Sequence, residues 1–190
     1  MKIVMRLLSD AIFGNGISIP GGEDISILYD DQGFPYYRGG TFKGVFREAL
    51  LSYLRWTGVS EKNAEESARE LLGSPGEDRT DLGKLIFSDF TIPQAVRSIV
   101  YKEIGDEPEI ILDSFTHIRT FTSIDKSGTA ERGSLRTARC IDKGVYFEAE
   151  IQCEKEKEEI VREVLPMIKW VGTHRSRGFG KVQIEVIKGE

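Results

Sequence analysis

The segment Gly144–Cys153 alternates strictly, with Val145, Phe147, Ala149 and Ile151 on one side and Tyr146, Glu148, Glu150 and Gln152 on the other. A period of two is the mark of a strand with one apolar face, and that face needs a covering layer. The next segment supplies one: Glu156–Trp170 carries Ile160, Val161, Val164, Leu165 and Ile168 at helical spacing, continued by Val171. Pro166 inside it predicts a kink or a restart. Lys181–Ile187 then reads as a closing strand. The first half of the chain has the same grammar. Lys2–Leu8 is an apolar strand, and Thr41 is the expected N-cap of a helix with Phe42, Val45, Phe46, Ala49, Leu50, Tyr53 and Leu54 on its inner face. Ser60 caps a second, acidic helix, Glu61–Leu72, which Gly73-Ser74-Pro75-Gly76 ends. Leu82–Phe90 reads as a buried strand.

The order is therefore strand, helix, strand, insertion, strand, helix, strand. That is the split βαβ pattern of an α+β, ferredoxin-like (RRM-like, βαββαβ) core. The 190 residues make one domain, 1–190, with residues 91–142 inserted between core strands. Within the insertion, Thr91–Asp113 has no clear period. Thr116–Ser123 and Ser134–Ile141 flank the polar stretch Asp125–Gly133 and predict a protruding hairpin. Residues 9–40 read as a long loop broken by Gly14, Gly16, Pro20, Gly21 and Gly22, with a short strand at Ile25–Tyr29 and a turn at Asp30-Asp31-Gln32-Gly33. Loops of that length inside a compact domain are usually functional. The fold alone hosts too many functions to select one.

The net charge of −5 argues against a nucleic-acid partner only while the charges are taken as evenly spread. They are not: the acids cluster in Glu61–Glu70, Glu77–Asp81, Glu103–Glu109 and Glu148–Glu163, and the bases in Arg38–Arg47, His117–Arg119, Arg132–Arg139 and His174–Lys181. Cys140 and Cys153 lie far apart, which excludes zinc spacing and a disulfide framework and fits a reduced cytoplasmic setting. The N-terminus reads as a strand and not a signal peptide, and no apolar run approaches membrane-spanning length.

Three segments carry the chemistry. In Gly172-Thr173-His174-Arg175-Ser176-Arg177-Gly178-Phe179-Gly180-Lys181, glycines let the backbone approach a partner and the arginines offer forked, charge-assisted hydrogen bonds to phosphate. The same residues also suit a tight helix-to-strand connection with solvated arginines. In Tyr36–Arg47, two glycines precede a helix whose first turns hold Arg38, Gly39, Gly40, Thr41, Lys43 and Arg47. Cations there oppose the helix dipole, and a docked anion would explain them. The hairpin interleaves His117, Arg119, Arg132, Arg136 and Arg139 with Phe115, Phe121 and Leu135, which suits phosphate tracking with apolar wedges or a plain exposed hairpin.

Together these segments resemble the RAMP superfamily, the repeat-associated proteins that form the backbones of CRISPR effectors. Gly39–Arg47 is similar to the family's G-[SG]-[ST]-[LF]-K-G-x-x-R motif, and Leu82–Asp89 to its G-x-L-x-F-x-D strand. Thr122–Ala130 is similar to its Ile-Asp-Arg hairpin tip, and Gly172–Val182 to its C-terminal G-x-x-x-S-R-G-[FY]-G-K-V loop. The likeness runs in order along nearly the whole chain and points most to the repeated backbone subunit of type III effectors. It implies a guide-RNA-binding subunit whose hairpin is a thumb that displaces one nucleotide at regular intervals. The implied RNA contacts are Arg38, Gly39, Gly40, Thr41, Lys43, Arg47, His117, Arg119, Arg132, Arg136, His174, Arg175, Ser176, Arg177 and Gly178. The implied partners are the CRISPR guide RNA, a complementary target RNA, further RAMP subunits, the large polymerase-like subunit and a small helical subunit.

The resemblance also implies that such a subunit cuts target RNA with an aspartate in the loop after the first strand. Asp24, six residues before Asp30, matches that position, while Asp30 and Asp31 read as turn residues. Asp24 would hold Mg2+ or Mn2+ through water while the ribose 2′-OH attacks, leaving a 2′,3′-cyclic phosphate and a 5′-hydroxyl. Ser26 stands where the family often has proline. The alternatives are a purely architectural RNA-binding subunit, a guide-processing endoribonuclease using His117 or His174 (neither with an obvious partner), and a ferredoxin-like binder of another anion.

Overall fold

The structure is a computed structural model that describes residues 1–17, 22–74, 83–123, 125–131 and 133–187. Its strands are β1 (Lys2–Leu7), β2 (Tyr36–Tyr37), β3 (Ile86–Phe87), β4 (Phe90–Thr91), β5 (Thr116–Phe121), β6 (Arg136–Ile141), β7 (Tyr146–Gln152) and β8 (Val182–Ile187). Its α-helices are α1 (Gly39–Trp56), α2 (Glu61–Leu72), α3 (Gln94–Ile104), α4 (Pro108–Phe115) and α5 (Glu158–Val164). The main sheet runs β2-β4-β7-β1-β8, with β3 also on β7, and every named pairing is antiparallel. One face is apolar: Ile3, Met5, Leu7, Phe147, Ile151, Val182 and Ile184 are buried. The helices cover that face, as a half-solvated antiparallel sheet requires. On the opposite face Lys2 pairs with Glu148 at 2.7 Å.

The strand expected at Leu82–Phe90 is two short pieces along β7, and Leu82 lies outside the described residues. Between the pieces the Ser88 N–H donates to the Glu150 carbonyl at 2.9 Å, and the Glu150 N–H donates to the Ser88 hydroxyl at 2.8 Å. The break turns Asp89 toward α1, where its carboxylate accepts from the Gly39 N–H at 2.8 Å. Helix α1 therefore starts two residues before Thr41, with Arg38 at its N-cap and no capping side chain of its own. That carboxylate puts one negative charge at the N-terminus of α1, where the helix dipole favours it. A Cβ on Gly39 would lie 2.4 Å from the carbonyl oxygens of Phe87 and Ser88, so only glycine allows the approach. Replacing Asp89 with alanine should lower stability by about 1 kcal/mol, the usual worth of a cap, read as a shift in the denaturant midpoint.

Ser60 caps α2 as expected, accepting from the Asn63 N–H. The helix expected over Glu156–Trp170 is shorter: α5 stops at Val164, a 3-10 turn covers Leu165–Met167, and Trp170 already bridges to Lys181. Pro166 sits in that turn, where its missing N–H ends the α-helical ladder. The insertion holds α3 and α4 where no period was visible, then the hairpin β5–β6, paired from Thr116↔Ile141 to Phe121↔Arg136. Arg97 of α3 docks on the turn after residue 29. It donates to Asp30 at 2.7 Å and Gln32 at 2.6 Å, and lies 4.2 Å from the centroid of the Phe34 ring. Asp30 is a turn residue as expected, its Oδ1 accepting from the N–H groups of Gln32 and Phe34.

Candidate functional site

The loop after β1 is fastened to both the hairpin and the C-terminal glycine loop. Ala11 exchanges backbone hydrogen bonds with Ile141 of β6, and Ile25 bridges Ala138 in parallel register. On the other side the Thr173 N–H donates to the Ile12 carbonyl at 3.0 Å, and the Gly180 N–H to the Asp10 carbonyl at 2.7 Å. Three segments far apart in the chain therefore meet at one place, and Asp24 is among them.

Asp24 is clamped by β6. Its Oδ2 accepts from the Thr137 N–H at 2.7 Å and the Thr137 hydroxyl at 3.3 Å. Its own N–H donates to that hydroxyl at 3.3 Å, and Arg136 stands 3.7 Å from its Oδ1. The Thr137 N–H, helped by Arg136, holds its carboxyl below the usual carboxylate range, so it stays ionised in neutral solution. The strand expected at Ile25–Tyr29 is a row of isolated bridges that presents this carboxylate.

The glycine loop supplies the opposite wall. Arg175–Arg177 form a 3-10 turn, entered through His174 at φ 57°, the only non-glycine residue with positive φ among the described residues. Phe179 is buried beneath the turn. The His174 ring lies 5.6 Å from that of Phe121 on β5, 31° from parallel, and Phe121 meets Phe179 edge-on at 5.6 Å. Partial burial, and secondarily Arg177, pushes the His174 pKa below its ordinary value. Asp24, Ile25, Phe121, Ser134, Arg136, His174 and Arg177 are among the residues lining one cavity of about 420 Å³. One carboxylate, two guanidiniums, an imidazole and an aromatic face thus converge there.

These residues belong to a chain whose residues 4–183 match the family model of the RAMP superfamily. The chain belongs to the RAMP superfamily. Among solved structures it is similar to a chain of the type III-B Cmr-beta complex bound to cognate target RNA, with 12% identity, a TM-score of 0.67, and 97% of this chain and 95% of that chain covered. It is likewise similar to a chain of Cmr-beta in the apo state, with 12% identity, a TM-score of 0.68, and 98% and 96% covered. A search of the curated proteins finds no match.

The remaining RAMP-motif residues are not all brought to this cavity. Arg38, Gly40 and Thr41 are exposed at the start of α1. Arg47 donates to the Gly73 carbonyl at 2.5 Å and so ties α1 to the end of α2. Arg175 turns away from Arg177, into a groove of about 340 Å³ lined by Val45, Glu48, Ala49, Trp56 and Trp170. Through Arg175 the glycine loop faces the middle of α1. Ser176 and Gly178 are exposed at the loop's crest. Arg119 donates to Asp10 at 3.3 Å and lies 5.2 Å from the centroid of the Phe179 ring. His117, expected to lack a partner, has two: Asp142 at 2.5 Å and Asp10 at 3.6 Å. Arg139 is taken up by Glu23, Asp113 and Thr116. Arg132 and Ile124 lie outside the described residues. Asp125 organises the hairpin tip, accepting from the N–H groups of Ser127 and Thr129.

Asp10 and Thr137 are the positioning residues that sequence reasoning missed. No local signal marks them, because each works across more than a hundred residues of chain. The donor set also bears on the expected ion. Asp24 has one oxygen held by Thr137 and the other beside Arg136, and no group of three His, Cys, Asp or Glu residues suited to a metal occurs among the described residues. That set would fit a hydrated Mg2+ or Mn2+ met through water and does not make a protein cage. No helix is long and apolar enough to cross a membrane among the described residues.

Proposed function

We propose that this chain is a guide-RNA-binding backbone subunit of a type III CRISPR effector that also cuts the target RNA paired to the guide. The observation that carries the reading is the cavity where Asp24, Arg136 and Arg177 meet under the β5–β6 hairpin. Strand order β8-β1-β7-β4 with helices on one face supports a ferredoxin-like core, and the hairpin lies outside that sheet as a thumb would. The Cmr-beta chain of the same fold comes from a complex bound to cognate target RNA.

A phosphodiester in this cavity meets Arg136 and Arg177, whose forked donors match its oxygens. Asp24 is fixed and negative, able to accept a hydrogen bond from a ribose hydroxyl and orient it toward the adjacent phosphorus. Orientation of that kind accounts for several kcal/mol of barrier. Asp24 would hold a hydrated Mg2+ or Mn2+ through water, and the ion, when bound, would supply further charge compensation at the phosphate. The products are a 2′,3′-cyclic phosphate and a 5′-hydroxyl.

The test is a native purification followed by challenge with complementary RNA. The expected result is a co-purifying short RNA with repeat-derived 5′ sequence, and a ladder of regularly spaced cuts. Absence of any bound RNA would overturn the reading. Bound RNA without cutting would leave the architectural role and remove the nuclease. The guide-processing alternative predicts that the lone chain cuts repeat RNA, and His117, already engaged by two carboxylates, does not favour it.

A further inference from the structure

Resting on that reading, we infer that His174 is a second catalytic residue, the group that removes the proton from the attacking ribose hydroxyl. Three observations point to it. First, the loop places a β-carbon-bearing residue in the left-handed region at φ 57°, where glycine or asparagine is the undemanding choice. Backbone strain of this kind persists where surrounding structure holds it, and it gathers at working sites. Second, the strain delivers the imidazole to the cavity that Asp24, Arg136 and Arg177 line. Third, the ring is held: Phe121 packs against it at a tilt of 31°, Phe179 approaches edge-on at 6.4 Å, and the Thr173 hydroxyl lies 3.3 Å from Nδ1. The Thr173 hydroxyl donates to the Ile12 carbonyl at 3.4 Å and so accepts from a protonated Nδ1, and among the described residues nothing is hydrogen-bonded to Nε2, which can meet a substrate.

The division of labour follows from basicity. A carboxylate held strongly ionised by the Thr137 N–H is a weak proton acceptor at neutral pH, so Asp24 suits orientation and charge. A base works best with a pKa near the working pH, where an imidazole lies. The charged groups facing His174 are Asp24 from the loop after β1, Arg136 from β6 and Arg177 from its own turn. Arg119 of β5 reaches the neighbouring Phe179 ring and is itself paired with Asp10. Partial burial, with Arg177 beside it, keeps the imidazole neutral and ready to accept.

In the step, Nε2 takes the 2′-hydroxyl proton and the 2′-oxygen forms a bond to phosphorus. The bond from phosphorus to the 5′-oxygen breaks, with its electron pair leaving on that oxygen. The 5′-oxygen takes a proton from water, and the imidazolium returns its proton to solvent. No oxidant or other co-reactant is needed.

The decisive variant is His174→Gly, because glycine adopts the left-handed conformation without strain and leaves a ring-sized space. In the assembled complex with Mg2+ and guide-complementary RNA, single-turnover cutting should fall on the order of 10²-fold. Added imidazole should restore part of it. Wild-type rate should fall as pH drops through the imidazole's lowered pKa, and the variant should lose that limb while target affinity stays within a few-fold. Unchanged cutting by His174→Gly, or a loss with no imidazole rescue and an unaltered pH profile, would overturn the inference. Asp24→Ala run in parallel separates the two ideas: if it alone stops cutting, the nuclease reading stands and His174 falls. A wild-type complex that leaves the RNA intact removes both.

Discussion

Replacing Asp24 with alanine should abolish ladder cleavage of guide-complementary RNA by the assembled complex while guide binding is retained. The expected loss is at least about 10²–10³-fold, the range for removing one preorganised charge or hydrogen-bonding group from a reacting phosphate or carbonyl. Guide binding should survive because Asp24 is an anion and contributes no attraction to a polyanion. The fold should survive as well, since Ile25 keeps its own backbone bonds to Thr137 and Arg139 of β6. Asp24→Asn separates position from charge. Its amide oxygen still accepts from the Thr137 N–H, which keeps the loop docked, but the negative charge is gone. If charge matters, asparagine is as inactive as alanine. If asparagine cuts normally, Asp24 only docks the loop. The sign of the pH dependence is fixed by the same hydrogen bond. The folded carboxyl lies below its unfolded value, so the carboxylate's stabilising contact is complete above the unfolded pKa and is lost as pH falls through the folded one. Asp24 therefore adds no titration to the neutral range. Any acid limb there belongs to another group.

The parts of the fold legible in the sequence were those with a strong period and a local stop signal. β7 and β8 alternate, α1 buries Phe42, Phe46 and Leu50 at helical spacing, and Ser60 and Gly73 bracket α2. Helix α3 went unread although Val96, Val100 and Ile104 lie at helical spacing and pack against the core, because the helix is short, 11 residues, and none of them is fully buried. Its punctuation was present, with Pro93 at its N-cap and Pro108 opening α4. The split of β3 from β4 was hidden for another reason. It depends on Asp89 reaching Gly39, fifty positions away, and pattern carries no such pairing. The site divides the same way. Asp24 and the glycine loop stood out through the resemblance, but the convergence of Asp24, Arg136, His174 and Arg177 exists only once β6 and the loop after β1 are docked. The uneven roles of the basic residues were equally invisible. Arg47 and Arg139 serve the fold, and Arg136 and Arg177 face the cavity.

Gly180→Ala should be the most damaging single methyl group in the glycine loop, and Gly178→Ala its control. Both glycines have positive φ, +75° and +88°, so both variants carry the left-handed penalty of about 1–2 kcal/mol. Gly178 has nothing within 4 Å of an added Cβ, so the penalty is all it should show. At Gly180 the Cβ would fall 1.9 Å from the Val171 carbonyl oxygen, a backbone atom that cannot swing aside. The loop must then part from Val171, losing the Val171 N–H to Gly180 carbonyl bond of 2.8 Å and straining the 2.7 Å bond from Gly180 to Asp10. Two weakened backbone bonds at about 1 kcal/mol each, added to the strain, give a loss of roughly 3 kcal/mol or more by chemical denaturation. The damage should also travel. Asp10 holds the Lys143 N–H at 3.0 Å, Arg119 at 3.3 Å and His117 at 3.6 Å, so displacing it loosens the base of the hairpin. Hydrogen exchange across β5 and β6 should accelerate well beyond the loss of global stability in Gly180→Ala, and by no more than that loss in Gly178→Ala. Exchange that follows global stability in both variants would mean that the loop and the hairpin are held independently. The cavity between them would then not be the preformed site that cleavage and the His174 assignment require.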